Sequence, residues 1–232
     1  MLGNDRYRHE LKFQCDELQL SIIQNRLQGI LKRDSHVKNG FYTVRSMYFD
    51  NYENRCFFEN ENGVEPRKKY RIRIYNTDKT RISLECKRKE YGMTNKSSCL
   101  ITQKQYLDIF NGRALTNDLS GSVLLREFLI QIRTQQFRPS VIVEYERTPF
   151  VYDIGNVRIT IDRNIRSSNS YSDFFNERLV SRAVLPQGQQ LLEVKYNTFL
   201  PSFILDVLQT GELLQTSFSK FYLCRKHSFG GL

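Results

Sequence analysis

Residues 67–90 read RKKYRIRIYNTDKTRISLECKRKE. The stretch sets ten Lys/Arg against Asp78, Glu85 and Glu90, so its net charge of +7 is most of the chain's +10. Its first half alternates with a period of two. Arg67, Lys69, Arg71, Arg73 and Tyr75 fall on one side, with Tyr70, Ile72 and Ile74 on the other. After the turn signal Asn76-Thr77-Asp78, the second half sets Arg81, Ser83, Glu85, Lys87 and Lys89 opposite Ile82, Leu84 and Cys86. The pattern predicts a hairpin with one charged and one apolar face.

Two placements fit such a hairpin. Its charged face can look out into water, or it can turn inward and line a cavity for a polyanion. Other strands carry the same pattern: Arg8, Glu10 and Lys12 share a face, as do Arg158, Thr160 and Asp162, and as do Glu193 and Lys195. Periodicity alone leaves both placements open. The helices favour the inward one, because amphipathic helices need an apolar sheet surface to pack on. Helices outside a closed sheet leave the charged faces to line its interior, with carboxylates among the cations to limit repulsion.

The helices are read from spacing. Asp16 offers an N-cap to a helix with Leu18, Ile22, Ile23, Leu27, Ile30 and Leu31 as its apolar stripe, ending near Lys32-Arg33. Residues 51–60 suggest a short helix, and residues 102–110, 122–134 and 201–208 suggest three more, with a last one after Ser217. Further strands are predicted from Tyr7 to Phe13, Tyr42 to Phe49, Met93 to Thr102, Ser140 to Val151, Val157 to Arg163 and Gln190 to Tyr196. On the strand from Ser140, Glu144 and Glu146 share one face, and Glu144 is expected to point outward.

At 232 residues the chain can bury a sizeable core, and no linker, low-complexity tract or solenoid-length repeat divides it. Residues 1–232 are expected to form a single domain. The start, MLGNDRYRHELKF, has no long apolar stretch, and no run of about 18 apolar residues could span a bilayer. The expectation is a soluble, cytoplasmic protein without a transmembrane segment. Five scattered cysteines with no C-x-x-C suit a reducing compartment, and three histidines do not suggest a zinc site.

Eight short motifs occur in one order: Arg8-x-Glu10-x-Lys12, Tyr48-Phe49-Asp50, residues 70–75 (YRIRIY), Leu84-Glu85-Cys86-Lys87, residues 145–150 (YERTPF), residues 157–162 (VRITID), Leu192-Glu193-Val194-Lys195 and Ser219-Lys220-Phe221. Each is weak alone. Together, over residues 6–226, they resemble the VTC domain, the polyphosphate polymerase domain of the CYTH-like triphosphate tunnel metalloenzymes. The resemblance implies an α+β fold in which an antiparallel closed β-barrel forms a triphosphate tunnel flanked by helices. It carries phosphate-binding roles onto Lys12, Arg71, Arg73, Lys87, Arg147, Arg158, Ser219 and Lys220. The family's metal-binding carboxylate falls on Glu193, for Mn²⁺ or Mg²⁺. Arg8, Glu10, Glu85, Lys89, Asp162 and Lys195 are additional tunnel-facing candidates. The family often has a further basic residue just beyond Lys96, where this chain has Ser97-Ser98-Cys99-Leu100.

No Walker A loop, kinase signature or nucleophile elbow is present. The expected partners are ATP or another nucleoside triphosphate, with polyphosphate, triphosphate or pyrophosphate. Three functions share these residues: an ATP-dependent polyphosphate polymerase, another tunnel chemistry such as triphosphatase or nucleotidyl cyclase, and a noncatalytic module binding polyphosphate or nucleic acid. Cations sharing strand faces with carboxylates disfavour nucleic acid, whose backbone those carboxylates repel.

Overall fold

The computed structural model describes residues 8–33, 37, 40–113, 122–210 and 213–229. Along the chain these form β1 (His9–Asp16), α1 (Glu17–Ile30), β2 (Lys32–Arg33), β3 (Tyr42–Asp50), α2 (Arg55–Glu61), β4 (Arg67–Tyr75), β5 (Ile82–Glu90) and β6 (Met93–Ile101). There follow α3 (Gln103–Phe110), α4 (Val123–Gln135), β7 (Arg138–Tyr152), β8 (Val157–Ser168), β9 (Arg182–Ala183), β10 (Gln189–Tyr196), α5 (Ser202–Leu208), β11 (Leu214–Gln215) and α6 (Lys220–Phe229). The predicted hairpin is β4–β5, antiparallel with Arg71 opposite Glu85. Its turn passes through left-handed Asn76 and Thr77.

One antiparallel sheet runs β11-β1-β10-β8-β7-β3-β4-β5-β6, with β2 on β7 and β9 on β8. Its apolar face is packed and its charged face is not. Ile72, Ile74 and Leu84 are fully buried in one core with Leu125 and Phe128 of α4 and Tyr106 and Ile109 of α3. Behind β8 and β10, Ile159, Ile161, Leu192 and Val194 form a second core with α1 and α5. Burying an aliphatic or aromatic side chain of this size is worth about 1.5–3 kcal/mol, and these contacts turn the opposite, charged faces toward a common hollow.

Closure is where the sequence expectation is corrected. A closed barrel needs a ladder between the two end strands. Among the described residues β6 and the start of β1 share a single backbone bridge, Arg8–Thr94, with Arg8 N–H donating to the Thr94 carbonyl at 3.2 Å. The sheet is therefore curled and open along one seam.

Helix α1 is the second correction. Its N-cap is as read, and the structure adds a capping box: the Asp16 carboxylate accepts from Gln19 N–H while the Gln19 side chain accepts from Asp16 N–H. The helix ends at Ile30, because Leu31 turns extended and Lys32–Arg33 pair with β7. Its buried face is Leu20, Ile23 and Leu27, whereas Leu18, Ile22 and Ile30 are exposed. Helix α2 likewise begins at Arg55, later than predicted, and β8 runs on to Ser168. Tyr7, the expected start of the first strand, lies outside the described residues.

On the outer face Glu144 meets a partner that sequence spacing did not suggest. It pairs with the Nε of Arg45, which is 2% exposed and also donates to the carbonyls of Phe174 (2.9 Å) and Asn176 (2.6 Å). Together these bonds hold residues 174–176 against the sheet.

Candidate active site

The hollow inside the curled sheet has a volume of about 730 Å³. Thirteen Lys/Arg side chains line it against two carboxylates, Glu10 and Glu193, so its charge exceeds the net charge of the whole chain. Period-two alternation puts the cations there. In β4 every odd-numbered residue from Arg67 to Tyr75 lines the cavity, as do Lys87 and Lys89 of β5. On β7 the inward residues are Tyr145 and Arg147. Opposite them an extra residue in β8, with Asn164 left-handed at φ 54°, shifts the register and sets Arg147 across from Asp162.

Three ionic groups make up the wall. In the first, Glu85 accepts from Arg71 Nε (2.8 Å) and NH2 (2.6 Å) and from Lys96 Nζ (3.1 Å), with Arg73 NH1 at 3.7 Å. Arg71 also donates to the Tyr48 hydroxyl at 2.8 Å, and Arg73 Nε donates to Ser46 Oγ at 2.9 Å. In the second, Asp162 takes a forked pair of bonds from Arg147 (2.7 and 2.8 Å) and one from Lys220 (2.6 Å). The rings of Tyr145 and these two cations stack, with Lys220 Nζ 4.9 Å and Arg147 Cζ 5.1 Å from the ring centre.

The third group joins Glu10 and Glu193. Lys87 Nζ lies 2.7 Å from Glu10, and Lys195 Nζ lies 3.1 Å from Glu193. Lys12 Nζ sits between them at 3.4 and 3.9 Å while donating to the Phe218 carbonyl at 2.8 Å. Arg147 reaches Glu193 at 3.3 Å and so links the second and third groups.

Burial by itself would push these carboxylates up, but the surrounding cations hold Glu85, Asp162 and Glu193 below the usual carboxylate range. Arg71 is the chief cation at Glu85, Arg147 at Asp162 and Lys195 at Glu193. Burial pushes Lys87 down to about 8, with Glu10 opposing and Lys12 and Lys195 reinforcing the shift. A polyanion in the cavity restores the charge of this amine. Binding of tripolyphosphate to metal-free protein should therefore take up a proton above pH 8, and the affinity should decline as pH rises further. Calorimetry in buffers of different ionisation enthalpy reads this directly; a heat independent of buffer at pH 9 would contradict it.

Every residue assigned from the resemblance lies at the hollow. Lys12, Arg71, Arg73, Lys87, Arg147, Arg158, Ser219, Lys220 and Glu193 line it, as do Arg8, Glu10, Lys89 and Lys195. Glu85 and Asp162 do not; they are buried beneath the guanidinium groups that they hold. Arg158 NH2 donates to the Tyr42 hydroxyl at 3.1 Å, and Ser219 Oγ accepts from the backbone N–H of Tyr222 at the start of α6. Lys69, Lys96, Tyr48 and Tyr145 are among the residues that gain a place sequence reasoning had not given them. Lys69 and Lys96 lie on the charged strand faces, and Tyr48 and Tyr145 belong to the ordered motifs. The alternation put Lys69 on the charged face without a role and could have marked Lys96, but only the fold shows which hydroxyls meet the arginines.

Among the described residues no three His, Cys, Asp or Glu side chains cluster to cage a metal. A hard divalent ion does not require such a cage when a phosphate chain supplies oxygens. Mg²⁺ is usually held by one or two carboxylates with substrate phosphates and waters. Glu10 and Glu193, both facing the cavity and sharing Lys12, fit that donor set.

The architecture is a curled antiparallel sheet with helices outside and a cation-lined hollow within. The structure of HpAC1 from Hippeastrum, named as an adenylyl cyclase and reported to have a dominant triphosphatase activity, superposes with a TM-score of 0.57 at 12% identity over 95% of both chains. The PH1819 protein from Pyrococcus horikoshii OT3 superposes with a TM-score of 0.50 at 13% identity, over 95% of this chain and 99% of its own. At these identities the likeness concerns the fold. The sequence itself matches the VTC domain model over residues 7–229, and the chain belongs to that family. No curated protein matches it. No described helix is long and apolar enough to cross a membrane.

Proposed function

We propose that this protein is a metal-dependent phosphotransferase acting on ATP and phosphate chains, and that it adds the γ-phosphate of ATP to the end of a growing polyphosphate. The observation that carries the reading is the composition of the hollow: forked arginines and lysines converge on one cavity, with Glu10 and Glu193 as its carboxylates. Phosphoryl transfer depends on positioning and on neutralising charge spread over the phosphate oxygens. Arg71, Arg73 and Arg147 offer planar forks already held in place by Glu85 and Asp162. Lys12, Lys87 and Lys220 add point charges, and Glu10 and Glu193 would hold the divalent ion. Bound there, Mn²⁺ or Mg²⁺ supplies further charge neutralisation and orients the chain.

In the transfer a terminal phosphate oxygen of the acceptor chain bonds to the γ-phosphorus. The bond from that phosphorus to the bridging oxygen breaks, and ADP leaves with the electron pair. No side chain need form a covalent intermediate.

The test is to incubate purified protein with ATP and Mn²⁺ and to resolve the products by chain length. Polyphosphate growing with time is expected. Glu193→Gln should lose most activity at limiting metal and recover part of it as Mn²⁺ is raised, because the variant keeps the shape but not the charge of the ligand. A metal titration superimposing on that of the wild type would remove Glu193 from the metal site. The fold likeness to HpAC1 favours a second reading, triphosphate hydrolysis. Orthophosphate released from tripolyphosphate without chain growth would select it.

A further inference from the structure

The strands β4, β5 and β6 place like charges opposite one another in register. On the outer face Lys68 stands across from Arg88, and Glu127 of α4 bridges the two at 2.7 and 2.6 Å. The chain therefore supplies its own acid for the outward pair. On the inner face Arg67 stands across from Lys89, Lys69 from Lys87, and Lys87 from Lys96. Among the described residues no carboxylate bridges any of these pairs across the strands. Lys87 leans to Glu10, Lys89 to Glu65 and Lys96 to Glu85, each away from the residue it faces.

Lys69 has no carboxylate of the described residues within ion-pair distance. Its amine is bound to Asn60 Oδ1 and donates to Ser219 Oγ at 3.2 Å, 5.3 Å from the centre of the Phe221 ring. Directly opposed like charges destabilise a sheet. Burial pushes the Lys69 ammonium well down, and Lys87, Arg67 and Lys12 add to the shift.

Distance separates the outer pair, Arg67 and Lys89, from the arginine centre, and Lys69 stands between the two. Strand residues advance about 3.3 Å each, so Arg67 lies about 13 Å along β4 from Arg71. A triphosphate seated on Arg71 and Arg73 does not extend that far, whereas a longer chain does. The geometry points to a second anion subsite at the cavity-facing side chains of Arg67 and Lys89, reached past Lys69, which grips the portion of a linear polyphosphate beyond the three phosphates nearest the arginines. This inference rests on the phosphate-chain reading above and assigns chain-length preference to residues with no role in the transfer itself.

Calorimetry on the full chain with tripolyphosphate and with a long linear polyphosphate tests it, using the variant Arg67→Gln. Glutamine keeps a donor for the Val64 carbonyl while removing the charge. The variant should lose at least about tenfold in affinity for the long chain, the scale of a lost charge-assisted bond, and stay within about twofold of wild type on tripolyphosphate. Without ligand it should melt no lower than wild type, since one of two opposed cations has been removed. Equal losses on both ligands, or no loss on the long chain, would overturn the subsite. Should the wild type itself bind neither ligand, the phosphate-chain reading fails, and that outcome is distinct from either result with the variant.

Discussion

Arg73→Ala should lower turnover of a triphosphate substrate by about 10²–10³-fold, the usual cost of deleting one preorganised donor, while the protein stays folded. The side chain is 5% exposed, yet it ends at the cavity. Its bonds are to hydroxyls, Ser46 at 2.9 Å and Tyr145 at 3.4 Å, which water in the hollow can satisfy after truncation. Glu85 keeps Arg71 and Lys96 at 3.1 Å or less, so no carboxylate is stranded. Phosphate release from tripolyphosphate and a melting curve make the comparison. A variant with wild-type turnover would place the reacting phosphate away from β4.

Asp162→Asn should act mainly on stability, at a cost of about 3 kcal/mol. Removing one partner from a buried ion pair costs about 3–5 kcal/mol, and the lower figure applies because Arg147 and Lys220 border a hydrated cavity. Asp162 is fully buried and takes three charge-assisted bonds, so its loss leaves two cations sharing one neutral amide. The pH dependence has a definite sign. Against the upward push of burial, Arg147 and then Lys220 hold the folded pKa below its ordinary value. The stabilisation is therefore complete above the unfolded pKa of about 4 and is lost as pH falls through the folded one. Urea unfolding from pH 7 down to 3 should show the wild type losing stability faster than Asp162→Asn. Parallel curves would mean that the carboxylate contributes nothing to the fold.

Much of this arrangement was legible from spacing. Alternation in residues 67–75 and 82–90 separated Arg71, Arg73 and Lys87 from Ile72, Ile74 and Leu84, and the two sets occupy opposite faces. What alternation lacks is information on curvature and edge pairing, so closure was overread. In α1 the apolar residues Leu18, Leu20, Ile22 and Ile23 are dense enough to suggest two faces, and contact with β10 selects the one with Leu20. Arg45 and Glu144, 99 residues apart, give no local sign of their pairing. Lys69 was read on the charged face but given no role, because its distinction is a missing acid, which only a neighbourhood reveals.

The seam between β1 and β6 determines what fixes the girth of the hollow. A complete hoop of backbone hydrogen bonds would set the diameter by strand number and shear alone. With one such bond among the described residues spanning the gap, a net contribution of about 1 kcal/mol, the bore is instead held by strand twist and by side chains that reach across it. Lys87 of β5 bonded to Glu10 of β1 is such a crosspiece. Its strength depends on an ammonium and a carboxylate that both face the hollow, so the girth at this point answers to the ionic surroundings of one pair.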